Sequence, residues 1–111
     1  MNKYSILYVS TNLAMDEQIN IGLALELPGG TKFEYSRKKL EAVKLLIPKN
    51  VYEFIVMQLE VIDKSYSKDS FMNAIKYDPN NNNLLVVSKP KTIDSNNFDV
   101  LFKKFIENEN N

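Results

Sequence analysis

Three residues in one segment of the chain could form a binding site. Glu17, Asn20 and Gly22 belong to a run in which every second residue from Ile19 to Leu27 is a large aliphatic. This alternation predicts a half-buried strand with its five aliphatic side chains on one face and with Asn20 and Gly22 on the other. Asn and Gly are depleted in strands, so their spacing favours a close neighbour on that face. The carboxylate and the amide could offer hydrogen bonds to a ligand or a peptide backbone.

A structural role also explains the same three residues. Asn20 and Glu17 would then satisfy backbone groups of loops, and Gly22 would let a helix or an aromatic ring pack closely. Backbone polar groups must be paired, and polar side chains that anchor loops are common. We therefore favour the structural interpretation over the ligand-binding one.

A second candidate site is a group of basic residues around a predicted helix. Arg37 and Lys38 open this helix, whereas Lys89 lies far along the chain and joins them only if the fold brings the segments together. The other basic residues of the group are Lys39, Lys44, Lys49 and Lys91. Such cations could bind phosphate groups. Because Glu34 and Glu41 lie among them, an ordinary solvated helix face is the favoured interpretation.

The composition narrows the possible chemistry. With 111 residues and 44% hydrophobic content, the chain has the size and apolar content of one domain with its own core. It contains no cysteine and no histidine, which removes disulfides, thiolate nucleophiles, the usual zinc sites and imidazole catalysis. Fourteen basic residues balance fourteen acidic ones, so no global field attracts nucleic acid or an anionic membrane. We expect no metal, no cofactor and no membrane partner.

The start of the chain and its apolar runs bear on location. Residues 1–9 lack the apolar core and small-residue cleavage site of a signal peptide. No apolar run approaches the roughly 18 residues that a membrane span requires. These features predict a cytoplasmic protein.

Periodicity and turn residues predict a single α+β domain over residues 1–111. The predicted strands cover residues 4–9, 19–27, 32–36 and 84–88. The predicted helices cover about residues 37–47, 51–63, 67–75 and 95–106, and the polar tail 107–111 is expected to fray. We expect an antiparallel sheet of about four strands with three to four helices packed largely on one face. Short connections predict that the first three strands form a meander.

The order of these motifs resembles the bacterial family called domain of unknown function 3037. Tyr4-Ser5-Ile6-Leu7, followed by the strand from Glu17 to Gly22, is similar to that family's Tyr-Ser-aliphatic strand and its Glu-x-aliphatic-Asn-aliphatic-Gly strand. The closing strand, the proline at 90 and the Leu-Phe-containing helix near the end are also similar. The family usually carries an Arg in its first strand and a Pro soon after, where this chain has Tyr8 and Ser10. Family members are small single-domain proteins often encoded near kinase-like toxins, so the resemblance implies partner binding.

The sequence thus leads to three functional expectations. The first is a non-enzymatic bacterial adaptor or regulator that binds another protein, such as a kinase-like toxin or a defence component, in a toxin, phage-defence or mobile-element module. The second is a nucleic-acid-binding protein that uses the basic helix face, and the third is a small carboxylate-dependent hydrolase or nuclease. The expected binding residues are Glu17, Asn20, Gly22, Arg37, Lys38 and Lys89. No residue is expected to be catalytic or to bind metal.

Overall fold

The computed structural model describes residues 2–12, 17–64 and 84–107. The strands are β1 (Asn2–Asn12), β2 (Glu17–Leu27), β3 (Gly30–Tyr35), β4 (Leu85–Val87) and β5 (Lys91–Ile93). The helices are α1 (Arg37–Lys44), α2 (Lys49–Asp63) and α3 (Phe98–Phe102), and a π-helical turn (Lys103–Glu107) follows α3. The expected α+β fold is confirmed, as are all four predicted strands, whereas β5 was not predicted. The helix predicted over residues 67–75 and the tail 108–111 lie outside the described residues.

The five strands form one antiparallel sheet with β1 near its centre. The order is β3-β2-β1-β4, and β5 also pairs with β1, so the first three strands form the expected meander. Along the β4–β5 edge, Leu7 lies opposite Val87 and Tyr4 lies opposite Lys91. Tyr4 and Leu7 are three positions apart on β1, whereas their partners Lys91 and Val87 are four positions apart. The edge segment therefore contains one extra residue. The interruption includes Pro90, which has no amide hydrogen to contribute to a ladder.

A bulge in β2 changes which side chains share a face. Leu7 lies opposite Gly22, but the next residue, Tyr8, lies opposite Asn20, so Ile21 is an extra residue on β2. Because side chains alternate along a strand, one extra residue exchanges the faces of everything beyond it. Ile19 and Ile21 therefore pack on one face, and the other three aliphatics pack on the opposite face, namely Leu23, Leu25 and Leu27. The prediction that all five share a face is wrong.

Hydrophobic cores consequently form on both faces of the sheet. The first core lies beneath α1 and α2, and its buried residues are Leu7, Val9, Ile21, Ala24, Leu40, Val43, Ile55, Leu59, Ile62 and Leu85. The second core lies beneath α3 and the π-helical turn, and its buried residues are Ile6, Leu23, Leu25, Phe98, Leu101, Phe102 and Ile106. The expectation that the helices pack largely on one face holds for α1 and α2 but is wrong for α3. The reason is that both central strands direct apolar side chains to both faces, β1 by alternation and β2 through the bulge.

A few residues determine where these elements begin. Gly30 has a φ of 138°, a region that favours glycine, and it starts β3 after the hairpin turn. The Ser36 hydroxyl accepts a hydrogen bond from the Lys39 amide at 3.1 Å and so caps α1. The Ser36 amide donates to the Ile21 carbonyl at 2.7 Å, which ties the start of α1 to the bulge. Pro48 precedes α2, and this helix begins at Lys49, two residues before the predicted start at 51.

We predict that Leu23→Asp abolishes cooperative folding. Leu23 is fully buried in the second core, and an unpaired carboxylate there loses hydration without gaining a partner. The expected loss exceeds about 4 kcal/mol in the free energy of unfolding, measured by urea denaturation. The control is the same change at Leu45, which is 86% exposed and should unfold close to wild type. A cooperative transition for L23D near that of wild type contradicts the position of this residue.

Candidate functional site

A cleft of about 270 Å³ opens on the face of the sheet that carries the second core. We call it the aromatic cleft, and it is lined by Tyr4, Ile6, Tyr8, Asn20, Ser88, Lys91 and Phe105. Three alternate residues of β1 contribute to the lining because alternate side chains of a strand point to one face. The remaining residues come from β2, from the β4–β5 edge and from the π-helical turn. The cleft thus depends on segments that are distant in sequence.

The interrupted edge strand forms one wall of the cleft. The Ser88 amide donates to the Ile6 carbonyl at 2.9 Å, and the Ile6 amide donates to the Ser88 hydroxyl oxygen at 2.8 Å. A side-chain oxygen thus accepts the bond that a backbone carbonyl accepts in a regular ladder. Lys89 and Pro90 then leave the sheet, and the chain returns with Lys91 opposite Tyr4. The edge bulge therefore decides that Lys91 lies at the cleft, in keeping with the way bulges redirect side chains.

Asn20 connects α1 to the π-helical turn across β2. Its Nδ2 donates to the Phe105 carbonyl, and its Oδ1 accepts from the Lys39 Nζ at 2.8 Å. The same ammonium donates to the Asn20 backbone carbonyl at 3.1 Å. Pairing between β2 and β3 ends where Gly22 lies opposite Tyr35, so this carbonyl lies beyond the last pair of that ladder. The Lys39 ammonium therefore donates the hydrogen bond that an amide of β3 would otherwise donate to the Asn20 carbonyl. The Asn20 side chain, in turn, holds Phe105 at the cleft.

The ammonium of Lys39 is partly withdrawn from water. Burial lowers the pKa of this group from its ordinary value of 10.5, because lost hydration disfavours the charged form. Among the described residues, its hydrogen-bond acceptors are the two neutral oxygens of Asn20. An ammonium has three donors, so one N–H remains beyond these two bonds. A positive charge therefore borders the cleft next to neutral partners.

Gly22 lies on the opposite face from the aromatic cleft. A Cβ at this position would lie 3.2 Å from the Glu34 carbonyl oxygen, 3.3 Å from Cε1 of Phe33 and 3.4 Å from Cβ of Leu7. These contacts belong to the first core and its margin, whereas Asn20 faces the cleft. The expectation that Asn20 and Gly22 share a face is wrong, because the bulge separates them. Glu17 is exposed at the start of β2 and does not line the cleft.

The predicted basic group divides between the two edges of the sheet. Arg37 follows β3, with its guanidinium carbon 5.1 Å from the centre of the Tyr35 ring, and it lines a shallow pocket with Glu34 and Asp63. Lys38, the second residue of α1, is exposed. Lys89 is exposed at the interruption of the β4–β5 edge, on the other side of β1. The fold does not bring Lys89 together with the start of α1.

Six of the seven cleft residues were not among the expected binding residues. They are Tyr4, Ile6, Tyr8, Ser88, Lys91 and Phe105. The alternation Tyr4-x-Ile6-x-Tyr8 indicates a shared aromatic face of β1, and this signal is visible in the sequence. Ser88 and Phe105 carry no such signal, because the edge bulge and the Asn20 bond bring them to β1.

Comparisons with protein-family models, with curated proteins and with solved structures find no match to this chain. Within residues 2–12, 17–64 and 84–107, no three acidic side chains come together as potential metal ligands. In that same part of the chain, no helix combines the length and apolar character of a membrane span. The candidate site therefore rests on the geometry of the cleft.

We predict that Gly22→Val destabilises the protein by about 1–3 kcal/mol, because the added side chain overpacks the first core. Thermal and urea denaturation measure the change. Gly29→Ala is the control, since a Cβ there meets nothing within 4 Å. Full stability of G22V would mean that Phe33 and the β3 backbone yield at little cost.

A second prediction concerns pH and Lys39. The pKa of Lys39 is lower in the folded protein than in the unfolded chain. Between the lowered value and 10.5, the folded protein therefore binds fewer protons at this group than the unfolded chain does. The contribution of Lys39 to stability consequently rises with pH in that window. The free energy of unfolding of wild type relative to Lys39→Met should therefore increase as the pH rises through that window. Both proteins retain Tyr52, whose raised pKa affects both alike. Lys38→Met controls for the loss of one exposed charge, and a flat or falling difference for K39M contradicts the prediction.

Proposed function

We propose that this protein is a non-enzymatic, cytoplasmic bacterial adaptor or regulator that binds another protein. The observation that carries the proposal is a set of four exposed apolar side chains in the α1–α2 layer. Leu45 and Leu46, in the turn after α1, are 86% and 57% exposed. Met57 and Val61, one turn apart on α2, are 54% and 59% exposed. We call these four residues the helical apolar surface.

The positions of residues around α2 show which of its side chains face away from the core. Ile55, Leu59 and Ile62 point into the first core, and helical geometry places Met57 and Val61 on the opposite side. An ordinary surface helix carries polar residues on its outer side, whereas a helix that is apolar on both sides is typical of a buried position. Adjacent exposed apolar side chains mark interaction sites more often than scattered ones do, and Met57 and Val61 are neighbours at positions i and i+4 of α2. A partner that covers Met57 and Val61 would remove this area from water.

The resemblance to the domain of unknown function 3037 family supports the class of partner. Members of that family are often encoded near kinase-like toxins. We therefore propose a kinase-like toxin or a defence component as the partner, in a toxin, phage-defence or mobile-element module. The basic residues give less support to nucleic-acid binding, because Arg37 lies close to Glu34 and Asp63 and the net charge is zero.

We predict that the wild-type protein co-purifies with one stoichiometric partner from its native host and that the complex forms again from the two purified proteins. Met57→Glu combined with Val61→Glu should weaken this complex about tenfold or more, because the charges must lose hydration in an apolar contact. Binding is measured by calorimetry, and folding of the variant by circular dichroism.

The matched control changes two exposed acidic residues of the same helix, as Glu53→Gln with Glu60→Gln. It should leave the affinity within about twofold, since exposed charges contribute little. The absence of any reproducible partner, or equal binding by M57E/V61E, contradicts the proposal. A salt-dependent complex with DNA or RNA instead of a protein favours the alternative function.

A further inference from the structure

We propose that the aromatic cleft binds a small molecule in which a single aromatic ring carries an acidic group. This inference is independent of the proposed protein partner, because the cleft and the helical apolar surface belong to opposite faces of the sheet. Occupation of one site leaves the other accessible.

The size of the cleft limits the ligand. Its volume of about 270 Å³ lies just below the range of about 300–1,000 Å³ that is usual for drug-sized ligands. A single ring with one substituent suits this volume better than a larger cofactor. Ile6, Tyr8 and Phe105 offer apolar and aromatic surface to such a ring.

The aromatic wall is held in place before any ligand binds. The rings of Tyr4 and Phe105 stack with their centres 4.9 Å apart and their planes 10° apart. Asn20 holds the backbone carbonyl of Phe105, and the paired bonds between Ser88 and Ile6 hold the opposite wall. A preorganised site loses little conformational entropy on binding.

The charges around the cleft favour an anion. Lys91 is the one charged residue among the seven that line the cleft, and none of the seven is acidic. Lys39 contacts the lining residue Asn20 from the side of α1 and retains one N–H beyond its two bonds to that residue. The Lys104 ammonium lies 5.8 Å from the centre of the Phe105 ring. One cation thus lines the cleft, and two more each contact one of its lining residues, so a carboxylate or phosphate on the ligand would complement this charge.

The test is a titration of the ¹⁵N-labelled full chain followed by two-dimensional NMR. Benzoate and phenyl phosphate are the probes, and both should shift the amide signals of residues around Tyr8, Ser88 and Phe105 at millimolar concentrations or below. Cyclohexanecarboxylate keeps the charge but has a saturated ring, and it should bind about two- to tenfold more weakly because it loses one aromatic–aromatic contact. Benzamide keeps the ring without the charge and should also bind more weakly.

Matched variants then test the residues. Lys91→Gln should weaken benzoate about two- to fivefold, as expected for an exposed ion pair. Lys3→Gln is the control, because Lys3 precedes Tyr4 on β1 and so lies on the other face of the sheet. Tyr8→Leu keeps an apolar side chain but removes the ring, and it should weaken benzoate while melting like a folded protein.

Three results overturn the inference. The first is the absence of shifts around the cleft with either probe, and the second is equal binding of benzoate, benzamide and cyclohexanecarboxylate. The third is an equal effect of K91Q and K3Q, which would indicate a general charge effect. None of these outcomes depends on the protein partner, so failure here leaves the proposed function standing.

Discussion

The structure depends on one extra residue, Ile21, in the second strand. Without it, β2 would have one aliphatic face and one small polar face, and it would contribute neither Ile19 nor Ile21 to the first core. The bulge directs Ile21 towards α1 and α2 and Leu23 towards α3. Each face then carries apolar side chains that must be removed from water, which is why helices pack on both faces. In the three-layer arrangement of helix, sheet and helix, β1 contributes to both cores by simple alternation, and β2 does so through this local irregularity.

The same bulge accounts for the position of Asn20. Asn20 lies directly before the extra residue, so its side chain faces the second core and donates to the carbonyl of Phe105. From the side of α1, the Lys39 ammonium donates to the Asn20 side chain. One amide thus joins helical segments that belong to opposite faces of the sheet. Buried polar groups are costly when unpaired, so a side chain with bonds in both directions restrains both segments. The aromatic cleft results from this restraint, because Phe105 forms part of its wall.

The two candidate surfaces differ in their physical character. The cleft is small, has three aromatic residues in its lining and one lining cation, Lys91, which suits a small anionic ring. The helical apolar surface consists of exposed side chains such as Leu45 and Met57. Its apolar area suits a protein partner better than a small molecule. Their location on opposite faces of one sheet lets the two proposals be tested separately.

The sequence by itself determined the α+β class, the first four strands and the approximate positions of the helices that flank Pro48. These features rest on short-range periods, on turn residues and on caps such as Ser36, which act within a few residues. The sequence also revealed that Asn20 and Gly22 are unusual in a strand, and both make close contacts within the chain.

Only the tertiary structure decided the faces on which these residues lie. The register between β1 and β2 fixes the bulge at Ile21, and register arises from pairing between separate segments rather than from the order of residues in one. The same holds for Ser88 and Lys91, which reach the cleft through pairing of the edge segment with β1. The site was only partly predictable because contacts between distant segments build it, such as the hydrogen bond between Asn20 and Phe105, which are 85 positions apart.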